Sequence, residues 1–401
     1  MTPARPVPIP AASSGQPFAL GIDSLLDDHR DWLAGRRVGL VSHSAAVDRH
    51  GRTTAERLKE CPDVQLAALF GPEHGYAGLA GAGEITTDER HPAWGIPIYS
   101  LYGENRRPTP AMLAGVDVLA VDFQDLGARP YTYVSTLRLV LEAAAAEGRR
   151  VVVADRPIPL AAGCDGPVLD PAQSSFVGLV GTSMQYGMTP GETARWIAGW
   201  LGLNLDLRVA PLRGYARNAS PGPDWPAWVP PSPRIRSWEC GALFTCTVAG
   251  EALPAVDYGS GTDRSFQLIG APWLCADDLI ALLTAGRLPG VAFERCSYEA
   301  RSGLYAGQSI SGMRILVADY ARFQPVTTGV TILAALQALG GKARLWESPG
   351  TRPEFFDKLF GTSVVRTALQ DGATGAAVAA LWQTGLAPFA ATRDRCLLYA
   401  S

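Results

Sequence analysis

The sequence predicts an α/β protein, in which a Rossmann-like doubly wound parallel sheet domain is followed by a second, smaller α+β auxiliary domain. In the first half of the chain, short apolar runs typical of buried strands alternate with helical segments. A passage rich in proline and tryptophan at residues 220–238 interrupts this alternation. The length of 401 residues also exceeds the size at which one hydrophobic core usually stops growing.

The apolar runs predict six strands in the first domain, at residues 37–42, 66–70, 96–101, 118–123, 150–154 and 207–211. The clearest helix is predicted at residues 132–147, where apolar side chains recur on one face. A shorter helix is predicted at residues 27–33. Another begins at Thr189, because Pro190 follows this N-cap and Glu192 completes a capping box.

Beyond the proline-rich passage, strands are predicted at residues 243–248, 291–298 and 309–317, and helices at 276–285, 327–339 and after Pro353. We therefore expect a flexible N-terminal segment at residues 1–18, a first domain at 19–220 and an auxiliary domain at 221–401. The auxiliary domain would close a cleft against the first.

Composition excludes several classes of function. A net charge of −3 gives no basic surface for nucleic acid or an anionic membrane. The seven cysteines are scattered and contain no Cys-x-x-Cys pair, so neither disulfides nor a zinc site is expected. No dinucleotide or Walker motif occurs, and no cofactor or metal is predicted. Residues 1–17 lack the apolar core of a signal peptide, and a soluble cytoplasmic protein is expected.

Polar side chains follow most of the predicted strands at the point where each strand ends. Because the carboxyl ends of parallel strands meet at one edge, these residues should surround one cleft. Glu73 and His74 stand out, since they directly follow a buried strand and precede a glycine-rich turn. The other candidates are Ser42, His43, Asp122, Gln124, Asp125, Arg129, Tyr131, Tyr133, Asp155 and Arg156.

Each candidate also has a structural interpretation. Glu73 could cap the segment that follows it, and Asp122 or Asp125 could accept N–H groups of its own loop. Arg129 could form an ion pair with either aspartate instead of binding a ligand. His74 could only support a neighbouring group, and His43 could be incidental. Tyr131 and Tyr133 would by default be half-buried packing residues.

Several long motifs carry a family resemblance. They are Pro72-Glu73-His74-Gly75, Ser100-Leu101-Tyr102-Gly103, Gln124-Asp125-Leu126-Gly127-Ala128-Arg129-Pro130-Tyr131-Thr132-Tyr133 and Asp155-Arg156-Pro157. With them, nearly the whole chain resembles the exo-β-N-acetylmuramidases of bacterial peptidoglycan recycling, the NamZ-like family. The resemblance implies a Rossmann-like catalytic domain, a smaller auxiliary domain and a site in the cleft between them. It also makes Glu73 the leading catalytic candidate.

The sequence departs from the family pattern at positions that the resemblance places near the sugar. The family's Glu-x-x-Asn segment is residues 251–254 here and ends in proline, and its Gly-Arg-Gly-Thr is residues 259–262 with serine for arginine. Arg234 and Ile158 each replace an asparagine, and Tyr186 replaces a histidine. These departures leave room for a different substrate.

The functional hypothesis is an exo-acting glycoside hydrolase that releases N-acetylmuramic acid, or a related amino sugar, from the non-reducing ends of peptidoglycan fragments. Its expected partner is a small-molecule sugar or muropeptide substrate. Glu73 would be the general acid, supported by His74, and Asp122 or Asp125 the base or electrostatic stabiliser. Arg129 and Arg156 would hold a substrate carboxylate. The other predicted substrate-binding residues are Ser42, His43, Gln124, Tyr131, Tyr133 and Asp155.

Two alternatives remain at this point. One is a diverged member of the family that acts on another sugar-like metabolite, and the other is a non-catalytic protein that binds cell-wall fragments. The stereochemical course is also open, because it depends on the separation of the two catalytic carboxyl groups.

Overall fold

A computed structural model describes residues 17–219 and 221–400. Within these residues lie twelve strands: β1 (Arg37–Ser42), β2 (Gln65–Gly71), β3 (Glu89–Arg90), β4 (Pro97–Ser100), β5 (Val118–Asp122), β6 (Arg150–Ala154), β7 (Asp165–Val168), β8 (Ser183–Gln185), β9 (Leu207–Ala210), β10 (Leu268–Gly270), β11 (Val291–Glu299) and β12 (Ser309–Val317).

The same residues contain thirteen α-helices: α1 (Gly21–Asp28), α2 (Thr54–Glu60), α3 (Pro110–Leu113), α4 (Tyr133–Ala146), α5 (Pro190–Leu201), α6 (Trp238–Thr247), α7 (Ala276–Ala285), α8 (Pro325–Gly340), α9 (Lys342–Trp346), α10 (Pro353–Phe360), α11 (Val364–Gln370), α12 (Gly375–Ala380) and α13 (Gln383–Asp394). Short 3₁₀ helices add single turns, among them Val248–Glu251 directly after α6.

Seven strands form one sheet in the order β3-β4-β2-β1-β5-β6-β9, parallel except for the edge strand β3. The chain runs outward from β1 through β2 and β4, then returns to β5 and runs outward through β6 and β9. The strand order therefore reverses between β1 and β5, which is where doubly wound sheets place their ligand crevice. All six predicted strands are present, and the predicted α/β fold is confirmed.

Helices cover both faces of this sheet. Side chains on one face of β1, β5 and β6 pack in a core with α4 and α5, and those on the other face pack with α1 and α2. Successive residues of a strand point to opposite faces, so strands buried on both sides are apolar throughout. This is why the sequence shows them as uninterrupted apolar runs.

The later part of the chain forms a smaller α+β unit, in which α6, α7 and α8 pack on a three-stranded antiparallel sheet of order β10-β12-β11. The predicted strand at residues 243–248 is wrong, because these residues continue α6, which Ser237 caps. Residues 240–247 are all buried, so the helix has no polar face to reveal its period. The helix predicted at residues 27–33 is also largely wrong, because α1 ends at Asp28 and only a 3₁₀ turn, Arg30–Trp32, follows it.

Residues 1–16 of the predicted flexible segment lie outside the described residues, whereas Phe18 stacks on Trp225 with 4.7 Å between ring centroids. The division at residues 220 and 221 stays a prediction. In the described part of the chain, no helix is long and apolar enough to cross a membrane. The cytoplasmic location stays a prediction too.

Two capping boxes allow a matched test of the fold. Thr53 caps α2 near the surface, whereas the buried Thr189 caps α5 and also donates to Asp155 Oδ2 over 2.7 Å. We expect Thr53→Ala to lower the free energy of unfolding by about 1 kcal/mol. Thr189→Ala should lower it by about 2–4 kcal/mol, because the buried aspartate also loses a donor. Equal shifts in urea unfolding of the two variants would contradict this.

Candidate active site

A cavity of about 670 Å³ lies between the sheet domain and the later part of the chain. Its volume is within the range of small-molecule sites. One side, here called the Glu73 wall, includes Glu73, His74, Gly83, Tyr102, Tyr131 and Thr132. The lining residues from the later part of the chain, here called the Glu251 wall, include Arg234, Glu251, Asp257, Tyr258, Tyr305 and Arg352.

The carboxylate of Glu73 is fixed by two hydrogen bonds. Glu73 follows β2 after one proline, and its side chain is buried at the edge of the cavity. Oε1 accepts from the Gly83 N–H over 2.8 Å, and Oε2 accepts from the Thr132 hydroxyl over 2.5 Å. Gly83 has φ +75°, a conformation that glycine adopts without strain, so the loop can turn its N–H toward the carboxylate. Two donors thus orient one carboxylate.

His74 and Tyr102 flank this carboxylate. His74 has φ +73°, an uncommon conformation for a residue with a side chain, and its Nδ1 lies 2.8 Å from the Ala80 carbonyl oxygen. Because a carbonyl only accepts, Nδ1 carries the proton. Burial raises the pKa of Tyr102, and the charge of Glu73 raises it further. Both residues therefore line the cavity together with Glu73.

On the Glu251 wall, Glu251 ends the 3₁₀ turn after α6. Arg234 Nη1 lies 3.5 Å from its Oε1 and donates over 3.0 Å to the Tyr258 hydroxyl. Arg352 Nη2 donates to the Glu251 carbonyl over 2.5 Å. Burial raises the pKa of the Glu251 carboxyl, the charges of Arg234 and Arg352 oppose this, and that of Glu73 adds to it. The two walls thus each present one glutamate to the cavity.

Asp122, predicted as a catalytic residue, does not line the cavity. Its two oxygens pair with the guanidinium of Arg156 and also accept from the Thr54 hydroxyl, and the aspartate and arginine are both fully buried. Arg156 additionally donates to the Val47 carbonyl over 2.9 Å. The predictions for Asp122 as catalyst and Arg156 as substrate ligand therefore need correction, because this buried pair satisfies both groups.

Asp125 also lies beneath the cavity. Its carboxylate accepts from the Tyr186 hydroxyl and, over 2.7 Å, from the Leu126 N–H. Burial raises its pKa to about 6, and these hydrogen bonds oppose the shift. The structural interpretation, in which the aspartate satisfies N–H and O–H groups of its surroundings, thus describes Asp125 better than the predicted catalytic role.

Arg129 is fully buried and does not line the cavity. Nη1 donates to the carbonyls of Pro167 over 2.9 Å and Thr182 over 2.6 Å, and Nη2 donates to that of Phe360 over 2.5 Å. Burial lowers its pKa to about 9. The predicted role in binding a substrate carboxylate is replaced by a structural one.

Four further predicted ligands lie in the same buried layer. His43 Nε2 accepts from the Gln124 N–H over 3.0 Å, and burial lowers the pKa of His43 to about 3, so the ring is neutral. The Gln124 side chain donates to the Pro157 carbonyl, and Tyr133 donates to a carbonyl over 2.6 Å. Ser42 donates to the carbonyl of the next residue. These polar groups are thus used within the protein, whereas Nδ1 of His43 is buried without a partner among the described residues.

Asp155, the last predicted ligand, organises the end of β6. It accepts from the hydroxyls of Thr189 and Tyr399, the latter over 2.5 Å, and from the Gly191 N–H. Burial raises its pKa to about 7, and the charge of Glu192 adds to the shift. Of the twelve predicted site residues, the structure therefore brings Glu73, His74 and Tyr131 to the cavity.

Comparison with known proteins identifies the family. A family described as Exo-beta-N-acetylmuramidase NamZ matches with its N-terminal part at residues 38–239 and with its C-terminal part at residues 242–399. The chain belongs to the NamZ family. The family resemblance inferred from the sequence is confirmed, and with it the class of enzyme, a glycoside hydrolase.

This NamZ family member is also similar to individual proteins in sequence and in fold. The Peptidoglycan beta-N-acetylmuramidase NamZ of Bacillus subtilis is 34% identical over 380 residues, which cover 94% of this chain and 91% of the relative. A crystal structure of a DUF1343 family protein from Bacteroides fragilis matches with a TM-score of 0.88 at 29% identity, covering 95% of this chain and 99% of that one. A second B. fragilis structure, at 24% identity, shows the same fold with a TM-score of 0.74 and coverage of 96% and 100%.

Several cavity residues of this NamZ family member were not predicted from the sequence. Thr132 and Tyr102 lie within quoted motifs, but nothing in their pattern indicated contact with Glu73. Arg234 was noted only because it replaces an asparagine of the family pattern. Glu251 was noted only as the first residue of the segment that corresponds to the family's Glu-x-x-Asn. Their position in the cavity depends on chain contacts that no local pattern reveals.

The buried pair of Asp122 and Arg156 gives a stability test of its structural role. Asp122→Asn should lower the free energy of unfolding by about 3–5 kcal/mol, because it leaves a buried guanidinium without its counter-charge. The double variant Asp122→Asn with Arg156→Met should recover part of this loss. An Asp122→Asn protein with wild-type urea midpoint but no turnover would restore the catalytic interpretation.

Proposed function

We propose that this protein is an exo-acting glycoside hydrolase that releases N-acetylmuramic acid from the non-reducing ends of peptidoglycan fragments, with Glu73 as the general acid. One observation carries the proposal: in a member of the NamZ family, a glutamate oriented by two donors stands at the edge of a cavity of about 670 Å³. The B. subtilis relative is named for the same reaction on peptidoglycan.

The chemistry requires a proton donor that reaches the glycosidic oxygen. Cleavage passes through a transition state with oxocarbenium character, and the leaving oxygen must be protonated as its bond to the anomeric carbon breaks. The hydrogen bonds from Gly83 and Thr132 fix the direction of the Glu73 carboxyl group, so it meets the substrate in one orientation. Tyr102, Tyr131, Tyr258, Tyr305 and Phe355 supply the aromatic surface on which a sugar ring can pack.

N-acetylmuramic acid carries a carboxylate, and the cavity offers an arginine for it. Arg129 and Arg156 are buried, so the cations of the cavity are Arg234 and Arg352. Arg234 faces the Glu251 carboxylate, whereas Arg352 is exposed and packs its guanidinium 4.4 Å from the Phe355 ring centroid. We assign Arg352 to the substrate carboxylate, since the planar guanidinium can bind both oxygens.

A specific observation also favours a second candidate, a related amino sugar as the substrate. Arg234, Pro254 and Ser260, three of the positions at which the sequence departs from the family pattern, line the cavity. A residue that differs within the cavity changes the groups that a substrate meets. A diverged specificity would therefore arise on this wall.

Replacing Glu73 tests the proposed function directly. Glu73→Gln keeps the shape but removes the transferable proton, so turnover of N-acetylmuramic acid β-1,4-linked to N-acetylglucosamine should fall by about 10²–10⁴-fold. The release of the free sugar measures this. The exposed Glu104, which does not line the cavity, provides Glu104→Gln as a control with unchanged turnover. If the wild-type protein binds the disaccharide but does not hydrolyse it, the proposed hydrolase activity is contradicted and a binding protein is favoured.

Arg352 tests the assignment of the substrate carboxylate. Loss of a charge-assisted hydrogen bond costs about 1.5–3 kcal/mol, so Arg352→Gln should weaken binding of N-acetylmuramic acid at least about tenfold. Binding of N-acetylglucosamine, which has no carboxylate, should not change. Calorimetric titration of both sugars measures this, with Arg344→Gln, outside the cavity, as the matched control. An equal loss of affinity for both sugars would argue against the assignment.

A further inference from the structure

We propose that Glu251 is the second catalytic carboxylate and acts as the general base opposite Glu73. The inference rests on the proposed function and specifies the group that the sequence left unidentified. It replaces Asp122 and Asp125, whose carboxylates lie in the buried layer beneath the cavity.

Elimination among the acidic residues of the cavity leads to Glu251. The described lining contains three carboxylates, those of Glu73, Glu251 and Asp257. Asp257 Oδ1 accepts from the Gly259 N–H over 2.7 Å and from the Tyr298 hydroxyl over 2.9 Å, so it holds its own loop. The Glu251 carboxylate has a single long hydrogen bond among the described residues, 3.5 Å to Arg234. Glu251 is thus the carboxylate left to react with a water molecule.

The position of Glu251 suits this role. It lines the same cavity as Glu73, and its side chain is 23% exposed, so a water molecule or substrate in the cavity can reach it. Its backbone is held, because Arg352 donates to its carbonyl and the preceding α6 is buried. A base on a fixed turn can be positioned accurately against the sugar.

The proposed hydrolysis of the glycosidic bond is a single displacement. Glu251 takes a proton from water while the water oxygen forms a bond to the anomeric carbon. The bond from that carbon to the glycosidic oxygen breaks, and its electron pair stays on the oxygen, which takes the proton of Glu73. The products are an α-configured free sugar, the shortened fragment, a protonated Glu251 and an ionised Glu73. Exchange with solvent restores both groups.

Arg234 is the positioning residue for this base. The charged and titratable groups around the Glu251 carboxyl are Arg234, Arg352, Glu73 and Tyr258. Burial raises the pKa of Glu251, which strengthens it as a base, and the positive charge of Arg234 favours the ionised form that a base requires. Loss of that charge raises the pKa further. The acidic limb of the pH profile should then move to higher pH, because turnover is lost as pH falls through the pKa of the base.

Two substrates separate the roles of the two glutamates. Glu251→Gln should lower kcat/KM by about 10²–10⁴-fold on both the disaccharide and 4-nitrophenyl N-acetyl-β-muramide, because each needs an activated water. Glu73→Gln should show such a loss on the disaccharide but less than about tenfold on the 4-nitrophenyl glycoside, whose leaving group departs without protonation. Full activity of Glu251→Gln beside an active wild type would overturn the inference. An inactive wild type would instead overturn the proposed function.

Chemical rescue tests the variant even if its turnover is lost. Azide added to Glu251→Ala should restore cleavage and give the α-glycosyl azide, because the small anion replaces the activated water on the same face. The first product of the wild type, followed by NMR, should be the α-anomer. A β-anomer, or no rescue by azide in a variant with a wild-type unfolding midpoint, would overturn the role of base.

Arg234 is tested by the pH profile of kcat/KM on the 4-nitrophenyl glycoside. Arg234→Gln should shift the acidic limb to higher pH, so that its activity relative to the wild type is lower below the limb than above it. Arg236→Gln, an exposed residue that does not line the cavity, should leave the limb unchanged. A uniform loss of activity at all pH values in Arg234→Gln would overturn the positioning role.

Discussion

The geometry of the cavity depends on one buried guanidinium, that of Arg129. Among the described residues it has no carboxylate partner, and it is instead held by carbonyls of Pro167, Thr182 and Phe360. Phe360 ends α10 in the later part of the chain, so this group ties the loop after β5 to the opposite side of the molecule. Hydrogen bonds make a buried charge tolerable. Here three carbonyl oxygens accept from Nη1 and Nη2, whereas Nε has no hydrogen-bond partner among the described residues. The neighbouring Gly361 leaves the necessary space, since a Cβ there would collide with the guanidinium.

A short stretch of chain connects Arg129 to the proposed acid, Glu73. The loop fixed by Arg129 continues to Tyr131 and Thr132, which line the cavity, and the Thr132 hydroxyl donates to Glu73. The orientation of the proposed acid thus depends on an interaction that no substrate touches. Below it, the pair of Asp122 and Arg156 and the network around Asp155 form a polar layer that supports the carboxyl ends of the strands. The proposed reacting groups stand above this layer.

The sequence predicted the strands well because residues buried on both faces leave uninterrupted apolar runs. It failed at α6 for a related reason, since a helix buried on all sides shows no helical period. It also identified the edge of the sheet that carries the site. It did not separate the residues that reach the cavity from those beneath, because that depends on pairs far apart in sequence, such as Arg129 with Phe360. Glu251 lies on a short 3₁₀ turn that no periodic pattern marks.

Cleavage of the sugar between Glu73 and Glu251 can be tested with a crystal structure of Glu73→Gln bound to the N-acetylmuramyl disaccharide. We expect the glycosidic oxygen within hydrogen-bond distance of residue 73, and a water molecule between the anomeric carbon and the Glu251 carboxylate. Asp122 should still be paired with Arg156. A disaccharide with its anomeric carbon out of reach of Glu251, or bound to Asp122 or Asp125, would contradict cleavage between Glu73 and Glu251.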